Sequence, residues 1–301
     1  MKIIVWGYKS KERYHTHGHV HEGFYRALKF MGHDVQWLDQ MDNQSGELNN
    51  RVSNTLFITE HQATAKMPIR KDCTYAIHNY FESRPMVKER FKDLRVLHFG
   101  VFTGKPYFGN DCIWLDRWTP FYPDKKAMEM MWATDLLPYE IEANKAGAKV
   151  INRDSAVINW VGTMWDGPFG NMQELSDFRV ACIENHISLI HYGYPNQVSL
   201  EENVKLTRES LFAPAIVGGW QREHNYIPCR IFKNISYGQF GVTNSEAVQE
   251  LFGGKLICNP NTYALFYEAH ARLLKTPVTQ LYELMDIVAK NHTYINRAEN
   301  L

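Results

Sequence analysis

The chain has no charge excess of either sign. Lysine plus arginine and aspartate plus glutamate both number 33, so the formal net charge is zero with histidine neutral. A molecule with no global field does not draw nucleic acid or an anionic membrane to itself by charge, although local patches can still form. Long apolar runs are missing too. No stretch reaches 18 residues, and the opening MKIIVWG is too short for a signal-peptide core, so targeting and membrane-spanning segments are expected to be absent. Cysteine is scarce and unpatterned: five residues (Cys73, Cys112, Cys182, Cys229, Cys258), an odd number, widely spaced and without CxxC. That excludes a disulfide framework or a structural zinc knuckle and predicts reduced residues, mostly core, in a cytoplasmic protein. Internal repeats and low-complexity tracts are also lacking.

What is present is length and alternation. The 301 residues suffice for about two domains and a sizeable core. KIIVWG (2–7) opens as a buried parallel strand does. HEGFYRALKFMGHD then places Phe24, Ala27, Leu28 and Met31 at helical spacing before Gly32, and VQWLD returns as a strand. This strand–loop–helix–strand unit favours parallel pairing. TLFIT (55–59), TYAIHNYF (74–81), RVLHFGVF (95–102) and CIWLD (112–116) extend the pattern. Residues 118–155 run through prolines and charges, which reads as linker and domain-closing segments. AVINWVGTM (156–164) restarts the alternation, followed by strands at SLIHYG, LFAPAIVGG, FGVTN and KLICN and a helical last forty residues. The break argues against one closed barrel. The expectation is an α/β chain with two facing Rossmann-like domains: 1–150, 151–275, and a helical segment 276–301 packing back across the junction.

Residues 14–23, YHTHGHVHEG, carry a histidine at every second position between the first strand and the first helix. Imidazoles there can take a proton near neutral pH, line a ligand loop or clamp a metal. Packing or capping at the helix start is the plain alternative for any single member.

The densest chemical signal is IVGGWQREHNYIPCRIFKNISYGQFGVTNSEA (216–247): strand, Gly-Gly loop, a helix bearing Arg230 and Lys233, a glycine, and another strand. This segment resembles the donor half of nucleotide-sugar-dependent glycosyltransferases of the GT-B fold. It is similar in layout to phage DNA β-glucosyltransferases, with Arg at the position of Arg230, and Tyr226, Arg230, Phe232 and Asn234 partly echo bacterial fucosyltransferases. The chemistry is consistent with the resemblance, because glycosyl transfer builds charge on a leaving diphosphate, and a planar guanidinium, an ammonium and helix N-terminal amides can absorb it. The chain departs from the pattern in three places, one being the spaced glutamate pair of many retaining members, since eight residues on from Glu223 stands Ile231 and from Glu246 Gly254. Lys233 stands where many relatives carry a ribose-binding glutamate, and the loop VGTMWDGPFGN (161–171) has no arginine.

The resemblance implies a transferase moving a sugar from a nucleotide-sugar donor to the hydroxyl of a glycan or other acceptor. No cofactor is implied, and no divalent metal is required. A nucleic-acid acceptor is compatible with the class but not indicated by charge. The donor-side residues it implies are Gly162, Thr163, Gly218, Gly219, Trp220, Tyr226, Ile227, Arg230, Lys233 and Asn234. Catalytic candidates are His17, beside Gly18, with His15, Glu22 and Asp135. His19, His21, His78, Glu82 and His98 are acceptor-side candidates. Two other readings stay open: a metal-dependent hydrolase using His15, His17, His19 and His21, and a sugar-nucleotide-binding module without turnover.

Overall fold

A computed structural model describes residues 2–10, 15–79, 89–101, 109–193 and 196–301. These divide into two compact units, one formed by residues up to 132 together with 294–301, the other by 133–293.

The first unit is built on an eight-stranded sheet ordered β2-β1-β3-β4-β5-β8-β7-β6. Its strands are β1 Lys2–Trp6, β2 Val35–Leu38, β3 Thr55–Glu60, β4 Thr74–His78, β5 Arg95–Val101, β6 Ile113–Asp116, β7 Thr119–Tyr122 and β8 Ala127–Met130. β1 to β5 and β8 pair in parallel, whereas β6, β7 and β8 are antiparallel. Continuous apolar runs such as IIVW suit a strand covered on both faces, and Ile4, Val5 and Trp6 are fully buried. One core cluster gathers Ile4, Trp6, Phe57, Cys73, Tyr75 and Ile77. Because β1 lies between β2 and β3, the chain leaves it in opposite directions. That makes the carboxyl ends of β1 and β3 a topological switch point, where open α/β sheets form a crevice.

Two expectations fail here. The proline-containing stretch after residue 118 is not linker. TPFY and AMEM form β7 and β8, with Pro120 opposite Trp114 and Pro123 starting the turn between the two strands. Prolines at turns and hairpin ends do not break a sheet. The first helix also begins earlier than expected, running Thr16–Phe30 with His15 as N-cap. The alternating histidines are therefore helical, and residues 17 and 21, one turn apart, share a face. Gly23 in this helix is required by packing, since a Cβ there would lie 2.2 Å from the Tyr294 ring.

The second unit carries β9 Val157–Val161 and β10 Ser188–Tyr192 as one parallel pair, and β11 Pro214–Ala215, β12 Val242–Thr243 and β13 Ile257–Cys258 as a parallel trio. The Leu211 amide donates to the Val157 carbonyl at 2.7 Å and the Asn159 amide to Ser210 Oγ at 2.9 Å, joining β9 to the segment that leads into β11. Helices Met172–Glu184, Leu200–Glu209, Cys229–Ser236, Thr262–Leu273 and Val278–Asn291 surround these strands. All five cysteines are free.

Candidate functional site

In the first unit, polar side chains converge at the switch point. Tyr8, just beyond β1, and Asn79, just beyond β4, both adopt left-handed backbone (φ 59° and 53°). Such conformations cost on the order of 1 kcal/mol or more for a residue with a side chain and persist where surroundings enforce them. Here they turn both side chains onto His17. Asn79 Nδ2 lies 3.0 Å from His17 Nε2, and Tyr8 Oη lies 3.4 Å from His17 Nδ1. The amide nitrogen can only donate, so His17 Nε2 accepts and Nδ1 carries the proton. Tyr8 Oη in turn donates to Glu60 Oε2 at 3.2 Å, and the Glu60 carboxylate pairs with His61 Nδ1.

A second chain runs beneath. The Gly7 carbonyl can only accept, so His21 Nδ1 donates to it at 3.1 Å. His21 Nε2 then accepts from His78 Nε2 at 2.9 Å, which fixes both tautomers. Gly7 is needed for this geometry: its φ is +106°, and a Cβ would lie 2.6 Å from that of Ala63. Burial, then the neighbouring His15, His21 and His61, lowers the His17 pKa to about 3. Burial lowers His21 to about 4, against the Gly7 hydrogen bond, and holds His78 well below the ordinary imidazole value. These three imidazoles are neutral hydrogen-bonding groups at physiological pH. A base works best near the operating pH, so they are poorly tuned for proton abstraction.

Of the other residues singled out on this side, His15 caps the helix by accepting from the His17 amide at 3.3 Å and stacks on Tyr8. His19 and Glu22 are half-buried on the same helix, and His98 is half-buried on β5. Glu82 lies outside the described residues. Among the described residues, no three His, Cys, Asp or Glu side chains are grouped so as to hold a metal ion.

In the second unit, Arg230 sits on the helix Cys229–Ser236 and reaches the carboxyl end of β9. Its guanidinium lies 3.7 Å over the Trp160 ring and donates to the Val161 carbonyl. Gly162, at φ +123°, makes room: a Cβ there would stand 2.6 Å from Arg230 Nη2. Burial lowers the Arg230 pKa to about 10, so the group stays charged at neutral pH. No ion pair joins it to a carboxylate among the described residues. Tyr226, whose pKa burial raises, is its electrostatic neighbour.

Lys233, one turn on, is differently placed. Its Nζ is 2.7 Å from Asp135 Oδ2, with side-chain exposures of 13% and 1%, and Tyr237 Oη donates to Asp135 Oδ1 at 2.6 Å. Burial pulls the lysine down, and Asp135 more than offsets it, leaving a net upward shift. Asp135 is thus the counter-ion of a buried pair. Asp135→Asn leaves the ammonium without its anion, and a loss of about 3–5 kcal/mol is expected in urea denaturation, with Lys233→Met in the same chain restoring most of it.

Loop 161–171 is organised by its own backbone. The Gly162 amide donates to the Tyr192 carbonyl at 2.7 Å, and its carbonyl accepts from His191 Nε2 at 2.8 Å. The Asn171 and Met172 amides both donate to the Trp165 carbonyl, at 2.9 and 3.1 Å, while Asn171 Oδ1 accepts from the Trp165 amide. The start of the helix Met172–Glu184 is therefore capped by the loop, and the Gly162 amide is already engaged. Thr163 is exposed. Gly218 and Gly170 permit a backbone crossing, because a Cβ on Gly218 would fall 1.7 Å from the Gly170 carbonyl oxygen. Gly219 and Trp220 begin the short helix Gly219–Glu223, and Ile227 is buried. Asn234 Nδ2 donates to the Ala213 carbonyl at 2.9 Å and ties its helix to the segment entering β11.

Sequence reasoning missed Tyr8, Glu60, His61, Asn79 and Trp160. A strand-end rule applied to TLFITEH would have raised Glu60 and His61. Nothing local marks Tyr8 or Asn79, whose roles depend on left-handed backbone.

No family model and no curated protein matches the chain. Among solved structures it is similar to the apo structure of OtsA, with a TM-score of 0.53 and 10% identity over 100% of this chain and 98% of that one. A likeness at that identity shows the fold alone, a mixed α/β architecture of GT-B-like kind.

Proposed function

We propose that the chain is a glycosyltransferase that uses a nucleotide-sugar donor and passes the sugar to an acceptor hydroxyl. One observation carries the reading. Among the described residues, a half-buried guanidinium without a carboxylate partner stands at a strand end in a chain of GT-B-like fold, held there by Trp160 and by Gly162. A desolvated cation of this kind favours an anion, and the diphosphate that develops charge as the glycosyl bond breaks is the anion such a fold handles. Arg230 takes the diphosphate. Lys233, neutralised by Asp135, positions the helix, with Tyr226 and the amides at the start of Cys229–Ser236 beside it.

The rim at the β1 and β3 ends serves the acceptor. His17 lies along it with His15, Tyr8 and Asn79, and the fixed His17 tautomer gives a defined donor and acceptor set for a polyhydroxylated molecule. The low proton affinity of His17 gives it an orienting role.

Thermal shift with UDP, GDP, CDP and ADP tests the class and the base together. One diphosphate is expected to raise Tm by several degrees at about 100 times its Kd, corresponding to about 2.7 kcal/mol. The matching monophosphate should do less. No response to any of the four would remove the donor assignment.

A further inference from the structure

The second unit carries an unusual surface that the anion chemistry above does not use. Trp165 and Phe169 are exposed at 59% and 58%, and Trp220 at 38%. Phe169 and Trp220 meet edge to face with centroids 5.1 Å apart, and His224 stacks on Trp220 at 4.0 Å. Between loop 166–170 and Trp220 lies an open cavity of about 510 Å³ whose polar lining comes from Asp166, Gln173, Glu174 and Ser176.

We infer that this shelf binds the uncharged pyranose rings of a carbohydrate, with Trp220 as the stacking platform. Three observations favour that occupant. First, the lining holds two carboxylates and neither lysine nor arginine, which repels phosphate and suits vicinal hydroxyls as donors to Asp166 and Glu174. Second, the rings do not form a parallel-walled slot of the kind that sandwiches a nucleobase. Phe169 and Trp220 are at 87°, and His224 already lies against Trp220, so the geometry suits one aromatic face against the C–H face of a sugar. Third, the shelf is built. The Gly170–Gly218 backbone crossing and the bonds between Trp165 and Asn171 fix the loop against the helices that supply Glu174 and Trp220. Exposed rings on a loop so constrained lose little entropy when a ligand settles on them.

The assignment rests on the transferase reading, adds to it a carbohydrate subsite separate from the acceptor rim of the first unit, and can fail on its own. An array of uncharged glycans, probed with the full chain, is the test. Retention of at least one neutral glycan class is expected, weakened about five- to tenfold in Trp220→Ala and largely kept in Trp220→Phe, since stacking contributes roughly 1–1.4 kcal/mol. Glu174→Gln should weaken it several-fold. Arg230→Ala should leave glycan retention intact, so a missing diphosphate response with glycan binding preserved would sink the donor assignment alone. Retention of no neutral glycan, equal retention by Trp220→Ala, or preference for nucleosides or anionic glycans would each overturn the shelf assignment.

Discussion

Arg230→Ala is expected to cut the thermal response to the preferred nucleoside diphosphate to about half or less, while leaving the Tm of the unliganded protein unchanged or slightly raised. Both halves follow from the same geometry. Among the described residues the guanidinium has a carbonyl and an aromatic face as neighbours but no carboxylate, and burial already lowers its pKa to about 10. Without ligand it is a partly desolvated charge, and removing it relieves as much as it costs. With ligand it makes charge-assisted bonds of roughly 1.5–3 kcal/mol, so binding should weaken about ten- to hundredfold. Arg230→Lys keeps the charge but loses the planar fork and the stacking on Trp160, and an intermediate loss is expected. A residue that merely braced the strand end would behave in the opposite way, lowering the unliganded Tm and leaving the ligand-induced shift in place.

Acid should unfold the first unit well above the pH at which carboxylates titrate. His17 and His21 have pKa values lowered to about 3 and about 4, and His78 is held well below the ordinary value of 6.5. In the unfolded chain each returns to about 6.5. Between those limits the unfolded state binds more protons than the folded one, so stability rises with pH there and levels off above about 6.5. Each group contributes up to about 1.4 kcal/mol per pH unit, and three together lose on the order of 6 kcal/mol between pH 6.5 and 5 as an upper figure. Denaturation in urea at stepped pH, followed by tryptophan fluorescence, reads this directly. His78→Gln should reduce the slope by about one third. A flat profile between pH 7 and 5 would mean that the imidazoles are not desolvated in this way.

What the sequence revealed follows physical range. Runs such as KIIVW and TLFIT are buried on both faces, so local hydrophobicity alone marks β1 and β3. The helix start at Thr16 was hidden because histidines at every second position suggest a period of two, while capping by His15 and burial of His21 are settled by contacts with Gly7 and His78. Pro120 and Pro123 disguised β7 and β8, although each stands where a sheet tolerates proline. At the candidate site, Arg230 and Lys233 were legible as neighbours on one helix. That one lacks a carboxylate and the other is neutralised depends on Asp135, 98 residues away in the chain, which no local pattern reports. The glycines of loop 161–171 imply close approach by another group, and the resemblance makes Gly162 and Thr163 donor contacts. The approach is to the chain itself, at Trp165, Tyr192 and Gly218.

The most direct test of the central claim is turnover of the donor. Incubating the full chain with UDP-, GDP-, CDP- and ADP-linked sugars, with and without a glycan retained on the array, and quantifying free nucleoside diphosphate by chromatography measures it. The account predicts that one donor releases its diphosphate, that the glycan accelerates release, and that Arg230→Ala lowers the rate by about two orders of magnitude, as loss of one transition-state charge contact does elsewhere. Release from none of the donors, or equal rates for wild type and Arg230→Ala, would contradict it.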